Sequence, residues 1–212
     1  DNAEYDSFEL LSSINGMTRT FYFINGDNEL SEKDFSLFKE YIEKRASHKP
    51  LQHILGKAYF YGYEFVVNEN VLIPRQDTEI LVSEVIKVAK DGYDILDMCT
   101  GSGCIIISLA AAGHTAECEY GAVGVDISDK AIEVAEYNSK LNGVPYVDFI
   151  KSNMFAELRD TGVKFDVIVS NPPYIPTKDI RELSDEVKLH DALLGLHGYE
   201  DWLKFYRAIT RN

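Results

Sequence analysis

YDILDMCTGSGCIIISLAAA, residues 93–112, holds a short apolar run, a glycine-rich turn and a longer apolar run. YDILDM has the length of a buried strand, and IIISLAAA after the turn reads as a helix. The pattern then repeats. GAVGVD (121–126) is a second strand. A helix follows Ser128, a residue type favoured at N-caps, and ends near Gly143. VDFIKS (147–152) and FDVIVS (165–170) are a third and a fourth strand. Strands alternating with helices predict a parallel, doubly wound α/β sheet of the Rossmann-like kind. Its connections are right-handed, and its ligands sit outside the carboxyl ends of the strands. DMCTGSG (97–103) and SNPPYIP (170–176) both follow such ends, so the pattern places them on one rim.

Before this core, helices are expected over 4–12 and 31–46. Ser31 with Asp34 three residues on resembles a capping box. Phe35, Phe38, Ile42 and Arg45 follow at helical spacing. Pro50 is expected to end the helical part. AYFYGYEFVVNENVLI (58–73) reads as two or three short strands with a turn near Asn68–Asn70, closed by Pro74. A helix then runs from about Thr78 to Lys90. The expected organisation is a helical domain over 1–49, incomplete at its start, a β-hairpin linker over 50–76, and the α/β domain over 77–212.

The 212 residues carry a net charge of −14, with 45% hydrophobic residues. No apolar run reaches the length of a membrane span. The acidic balance weighs against nucleic acid as the main partner, since such partners normally need a basic face. Cys99, Cys104 and Cys118 make an odd count without framework spacing, which points to reduced thiols and a cytoplasmic setting. The five histidines form no ligand pattern with them, so no metal site is expected.

Gly101 and Gly103 let the backbone approach a ligand closely or adopt positive φ. A dinucleotide fingerprint would need a third glycine where Ile106 stands. The Asp97-x-x-x-Gly101-x-Gly103 pattern instead resembles motif I of Rossmann-like methyltransferases that use S-adenosylmethionine. Cys99, Thr100, Gly101, Ser102 and Gly103 are then the cofactor loop. Asp97 lies behind it, contacting the methionine part or ordering the loop. Asp126, ending the second strand, can accept both ribose hydroxyls. The same resemblance gives Asn153 a polar contact to the adenine amine and makes Met154 an apolar cover.

Asn171 has one side-chain acceptor and two donors, and Pro172 offers a carbonyl without a competing N–H. Together they can accept both hydrogens of a planar –NH₂ group. Pro173 stiffens the segment, and Tyr174 can stack on the planar group. Asn171 also faces the cofactor rim. An amide nitrogen is a poor nucleophile because its lone pair is delocalised. Two accepted N–H bonds push density onto it and hold it in line.

Asn-Pro-Pro-Tyr resembles the motif of DNA adenine-N6 and cytosine-N4, RNA guanine-N2 and protein glutamine-N5 methyltransferases. The upstream text narrows the choice. Gln52-His53-Ile54-Leu55-Gly56, Phe60, Gly62, Phe65 and Val71-Leu72-Ile73-Pro74-Arg75 closely resemble the linker and hairpin of the HemK/PrmC family of release factor glutamine methyltransferases. Gln76, Asp77, Cys99 and Asn153 depart from the family pattern, as do His190-Asp191-Ala192 and Gly195-Leu196. The resemblance implies transfer of a methyl group from S-adenosylmethionine, with S-adenosylhomocysteine as product, to the glutamine of the Gly-Gly-Gln tip of class 1 release factors. It also implies that the N-terminal helical domain recognises substrate.

Four strands are fewer than the seven of that fold, so the natural protein is expected to continue for several tens of residues. Two other readings stand beside this one: a nucleic-acid amino-group methyltransferase, and a module that binds cofactor without catalysis. The charge disfavours the first and the complete Asn171–Tyr174 motif the second.

Overall fold

The computed structural model describes residues 3–175 and 203–211. The chain divides into two compact units, one up to Gly56 and one from Lys57 onward. The first is helical, with α1 Ala3–Asn15, α2 Arg19–Asn25, α3 Glu32–Ala46 and α4 Leu51–Leu55. The Asp34 N–H donates to Ser31 Oγ at 3.1 Å, so the expected cap is present. The Arg45 guanidinium donates to Asp6 at 2.7 Å and ties α3 to α1. Pro50 does not end the helical part. It is the N-cap residue of α4, because proline's missing N–H costs nothing where a helix begins. The short helix α2 buries none of its residues and exposes Phe21, Phe23 and Ile24.

The second unit opens with an antiparallel hairpin, β1 Lys57–Phe60 and β2 Tyr63–Val66. Its turn is Tyr61-Gly62, both at positive φ, as a tight two-residue hairpin turn requires. The turn expected to join strands at Asn68–Asn70 instead lies beyond the hairpin. There the Asn70 N–H donates to Asn68 Oδ1 at 2.9 Å, a local side-chain turn with no strand after it. Then follow α5 Asp77–Val88, β3 Asp94–Met98, α6 Cys104–Thr115, β4 Gly121–Asp126, α7 Asp129–Leu141, β5 Asp148–Lys151, β6 Val167–Ser170 and, after an undescribed stretch, α8 Lys204–Arg211.

The four strands of the main sheet run parallel in the order β5-β4-β3-β6. The chain leaves β3 toward β4 and β5 and returns to the other side of β3 for β6. The order therefore reverses beside β3, which opens a crevice at its carboxyl end. Among the described residues β6 has a neighbour on one side only. Both faces of the sheet are covered. Ile95 packs with Ile106, Leu109, Phe60 and Phe65, and Leu96 and Met98 pack with Val125, Phe155 and Leu158 on the opposite face. Alternation along β3 puts Asp97 on the same face as Ile95, the face that α6 covers. Burying strand residues on both faces is what makes a parallel strand continuously apolar. Among the described residues no helix is long and apolar enough to cross a membrane.

Candidate active site

Register fixes the site. Met98 and Ser170 are Cα partners across the β3–β6 pair, so the loop that begins at Cys99 and the segment that begins at Asn171 leave the sheet side by side. Val125 partners Met98 on the other flank, which brings Asp126 to the same rim. Three stretches far apart in sequence thus meet at one sheet end.

The glycine loop is held by its own backbone. The Thr100 N–H donates to the Val125 carbonyl at 2.9 Å, and the Gly103 N–H to the Thr100 carbonyl at 2.9 Å. Gly101 and Gly103 both have positive φ, at +56° and +79°. They differ in surroundings. A Cβ on Gly101 would meet nothing within 4 Å, whereas one on Gly103 would lie 2.7 Å from Ile107 Cδ1 and 3.2 Å from Ala135 Cβ. Gly103→Ala is therefore expected to lower unfolding free energy by about 3 kcal/mol, combining backbone strain with overpacking. Gly101→Ala carries the backbone term alone, about 1 kcal/mol. Urea denaturation of the two variants tests this, and equal losses would refute the steric account.

Asp97 is fully buried, and Thr100 Oγ1 donates to its Oδ2 at 2.7 Å. The Ile106 N–H also faces this carboxylate, yet Oδ1 has no hydrogen-bond partner among the described residues. Burial pushes the carboxyl up to about 7, against the pull of the Thr100 and Ile106 donors. Asp126 accepts from the Gly101 N–H at 2.9 Å through Oδ2 and from the Ser128 N–H at 3.0 Å through Oδ1. Burial raises its pKa, and these backbone donors oppose the rise. Cys99 sits at φ +64°, a conformation that favours glycine. Burial and the nearby Asp126 and Asp97 push its thiol up to about 12, so it is neutral at physiological pH.

Asn171 is half-buried, Pro172 and Pro173 are buried, and Tyr174 is 55% exposed. Asn171 Nδ2 donates to Thr78 Oγ1 at 3.2 Å. Ser152 Oγ donates to the Met154 carbonyl at 2.8 Å and accepts from the Glu157 N–H at 3.1 Å, which shapes the loop after β5. Asn153 on that loop is exposed. Met154 takes positive φ and packs against the Leu96–Phe155 cluster. His190 to Leu196 lie outside the described residues.

Two residues at this site escaped sequence reasoning. Thr78 read only as the start of a helix, and its contact with Asn171 becomes visible only when the β6 segment lies beside it. Asn138 in α7 is fully buried. Its Oδ1 accepts from the Val66 N–H at 2.8 Å, and its Nδ2 donates to the Val66 carbonyl at 3.0 Å and the Ser102 carbonyl at 2.9 Å. It joins the hairpin to the glycine loop. The available signal was an Asn three and four residues after Ala135 and Val134, on the apolar face of α7.

Residues 1–56 match the PrmC N-terminal domain family, and residues 75–189 match the methyltransferase small domain family. A release factor glutamine methyltransferase of Geobacter sulfurreducens is 39% identical over 99% of this chain and 72% of its own length. One of Fusobacterium nucleatum is 41% identical over 86% of this chain and 51% of its own. The chain thus spans about half to three-quarters of the length of these relatives. A solved ribosomal protein L11 methylase of Lactobacillus delbrueckii is 22% identical over 68% of this chain and 72% of that one, with a TM-score of 0.42.

Proposed function

As the chain belongs to the release factor glutamine methyltransferase family, we propose that it transfers a methyl group from S-adenosylmethionine to the side-chain amide nitrogen of a glutamine, the one in the Gly-Gly-Gln motif of class 1 peptide chain release factors. The observation that carries this reading is the Met98–Ser170 register, which sets Asn-Pro-Pro-Tyr beside the glycine loop.

The residues at the rim fit that cofactor. Asp97 is a buried acid with an unpartnered oxygen and a raised pKa, the state that a ligand's ammonium group would relieve. Asp126 spends two backbone N–H bonds on holding its place and keeps lone pairs for ribose hydroxyls. Gly101 presents backbone without a side chain to block approach. Cys99, Thr100, Ser102 and Gly103 would shape the rest of the cradle, and Asn153 and Met154 would line its adenine end, Met154 with one side committed to the core. When bound, S-adenosylmethionine supplies an electrophilic methyl group on a sulfonium.

Everything else is the work of this chain's own groups. The Asn171 amide has its nitrogen end committed to Thr78, so its acceptor end is the one on offer to a ligand. That oxygen and the Pro172 carbonyl accept the two N–H bonds of the substrate amide. Tyr174, more than half exposed, is placed to cover the amide plane. Were that methyl group to pass to the amide nitrogen, positive charge would grow there, and the bonds to the Asn171 oxygen and the Pro172 carbonyl would tighten. One amide proton is then lost to solvent. Asn171 through Tyr174 contain no carboxylate or imidazole, so catalysis rests on positioning and preorganised dipoles. Substrate recognition is assigned to the N-terminal helical domain, whose α2 exposes Phe21, Phe23 and Ile24. The three described cysteines are free thiols, which supports a cytoplasmic setting.

The test is tritiated methyl transfer by the full-length protein, offered a purified release factor, DNA and RNA in parallel. Label should enter the release factor and disappear when its Gly-Gly-Gln glutamine is replaced. Label on nucleic acid alone would overturn the proposal.

A further inference from the structure

The first turn of α5 carries two consecutive side chains that reach in different directions. Thr78 Oγ1 accepts from Asn171 Nδ2 at 3.2 Å. Glu79 Oε1 accepts from the Tyr61 N–H at 2.8 Å, and Tyr61 holds the left-handed position in the hairpin turn. The turn itself is tied down: the Thr78 and Glu79 N–H groups donate to the Arg75 and Gln76 carbonyls at 3.0 and 2.9 Å. A rigid helix start therefore stands between the hairpin and the Asn-Pro-Pro-Tyr segment.

Asn171 needs such a partner. An asparagine amide has nearly the same shape when rotated by 180° about its last torsion, but oxygen and nitrogen exchange places. One orientation presents an acceptor to a substrate –NH₂, and the other presents donors against donors. The torsion is broad, so the side chain does not hold one orientation unaided. Its backbone lies at the strand end and does not fix the amide plane either.

Resting on the reading of Asn171 as an acceptor for the substrate nitrogen, we propose that Thr78 is a positioning residue that holds the Asn171 amide with its oxygen toward that nitrogen. Thr78 acts through Asn171 and does not touch the reacting atoms. The bond engages the nitrogen end and leaves the oxygen end for the transition state, where a misplaced acceptor is most costly. Pro172 carries its acceptor on the backbone and needs no such support.

Thr78→Val keeps the β-branched shape and removes the hydroxyl; Thr78→Ser keeps the hydroxyl. In the full-length protein Thr78→Val should lower kcat by about tenfold, with KM for the release factor and Kd for S-adenosylmethionine changed less than about twofold. Thr78→Ser should recover most of that loss. A second readout needs no turnover. With asparagine-selective ¹⁵N labelling, the Asn171 side-chain NH₂ signals should shift and exchange faster with solvent in Thr78→Val, and return toward the parent in Thr78→Ser. Unchanged Asn171 signals, or a kcat loss that Ser does not rescue, would overturn the role of Thr78. Parent protein that fails to label release factor defeats the wider reading of function, while the NMR comparison still decides the Thr78–Asn171 contact.

Discussion

Asn171→Ala in the full-length protein is expected to cut methyl transfer to release factor by about 10²–10³-fold while Kd for S-adenosylmethionine moves less than about threefold. The separation follows from where the residue sits. Asn171 leaves β6 at the register position opposite Met98, beside the loop but outside its hydrogen bonds. The loop's own ties run Thr100 to Val125, Gly101 to Asp126 and Gly103 to Thr100, and none involves Asn171. Removing the amide therefore leaves the cradle intact and takes away one of two acceptors for the methylated nitrogen. Loss of a preorganised polar partner in the transition state costs about 3–4 kcal/mol, which is the stated fold-change. Asn171→Asp would retain an acceptor but lose the N–H donated to Thr78, so its rate should fall between the parent's and the alanine variant's. Single-turnover labelling and calorimetric titration of the cofactor measure the two quantities separately. A parallel fall in cofactor affinity would show that Asn171 serves the cradle and would contradict the acceptor role.

The sheet was legible because its signals are local. DILDM, GAVGVD and the Ser128 cap each combine apolar runs with turn chemistry within a few residues, and the strands and helix lie where those patterns end. The shared rim was legible as well, because an alternating β/α chain puts every strand's carboxyl end on one side. The hairpin turn was not. Tyr61 is a poor residue for positive φ, and the Asn-Glu-Asn stretch nearby is a stronger turn signal. What decides the matter is tertiary: Glu79, 18 residues on, accepts the Tyr61 N–H, and Asn138, 72 residues on, pairs with Val66 at the end of β2. Helices α2 and α4 were missed because seven and five residues are too short for a periodicity to stand out. Thr78 and Asn138 share a cause for being missed. Their partners lie 93 and 36 to 72 residues away, and no local pattern encodes such pairings.

Asn138→Ala is expected to lower unfolding free energy by about 4 kcal/mol, a large part of the stability of an ordinary domain. The side chain uses its oxygen and both amide hydrogens, meeting the N–H and carbonyl of Val66 and the carbonyl of Ser102. Alanine would leave those three backbone groups without their partner and open a cavity where a fully buried amide had been. Because Val66 ends the hairpin and Ser102 belongs to the glycine loop, the damage should be local as well as global. The Val66 amide should lose hydrogen-exchange protection, and affinity for S-adenosylmethionine should fall with the loosened loop. Asn138→Asp adds a pH signature. Asp97, equally buried in the same unit, has its carboxyl pushed up to about 7 by burial. An introduced acid at 138 is likewise raised above its unfolded value, so it is neutral in both states at low pH and costs least there. Its deficit relative to the parent grows as pH rises from the unfolded pKa through the folded one, where keeping a carboxylate beside two carbonyls opposes folding. Denaturant midpoints of parent and variant at pH 5 and pH 8 should therefore diverge with rising pH. A deficit that does not change with pH would mean that the site admits water, and the clamp between hairpin and loop would then be weaker than its three bonds imply.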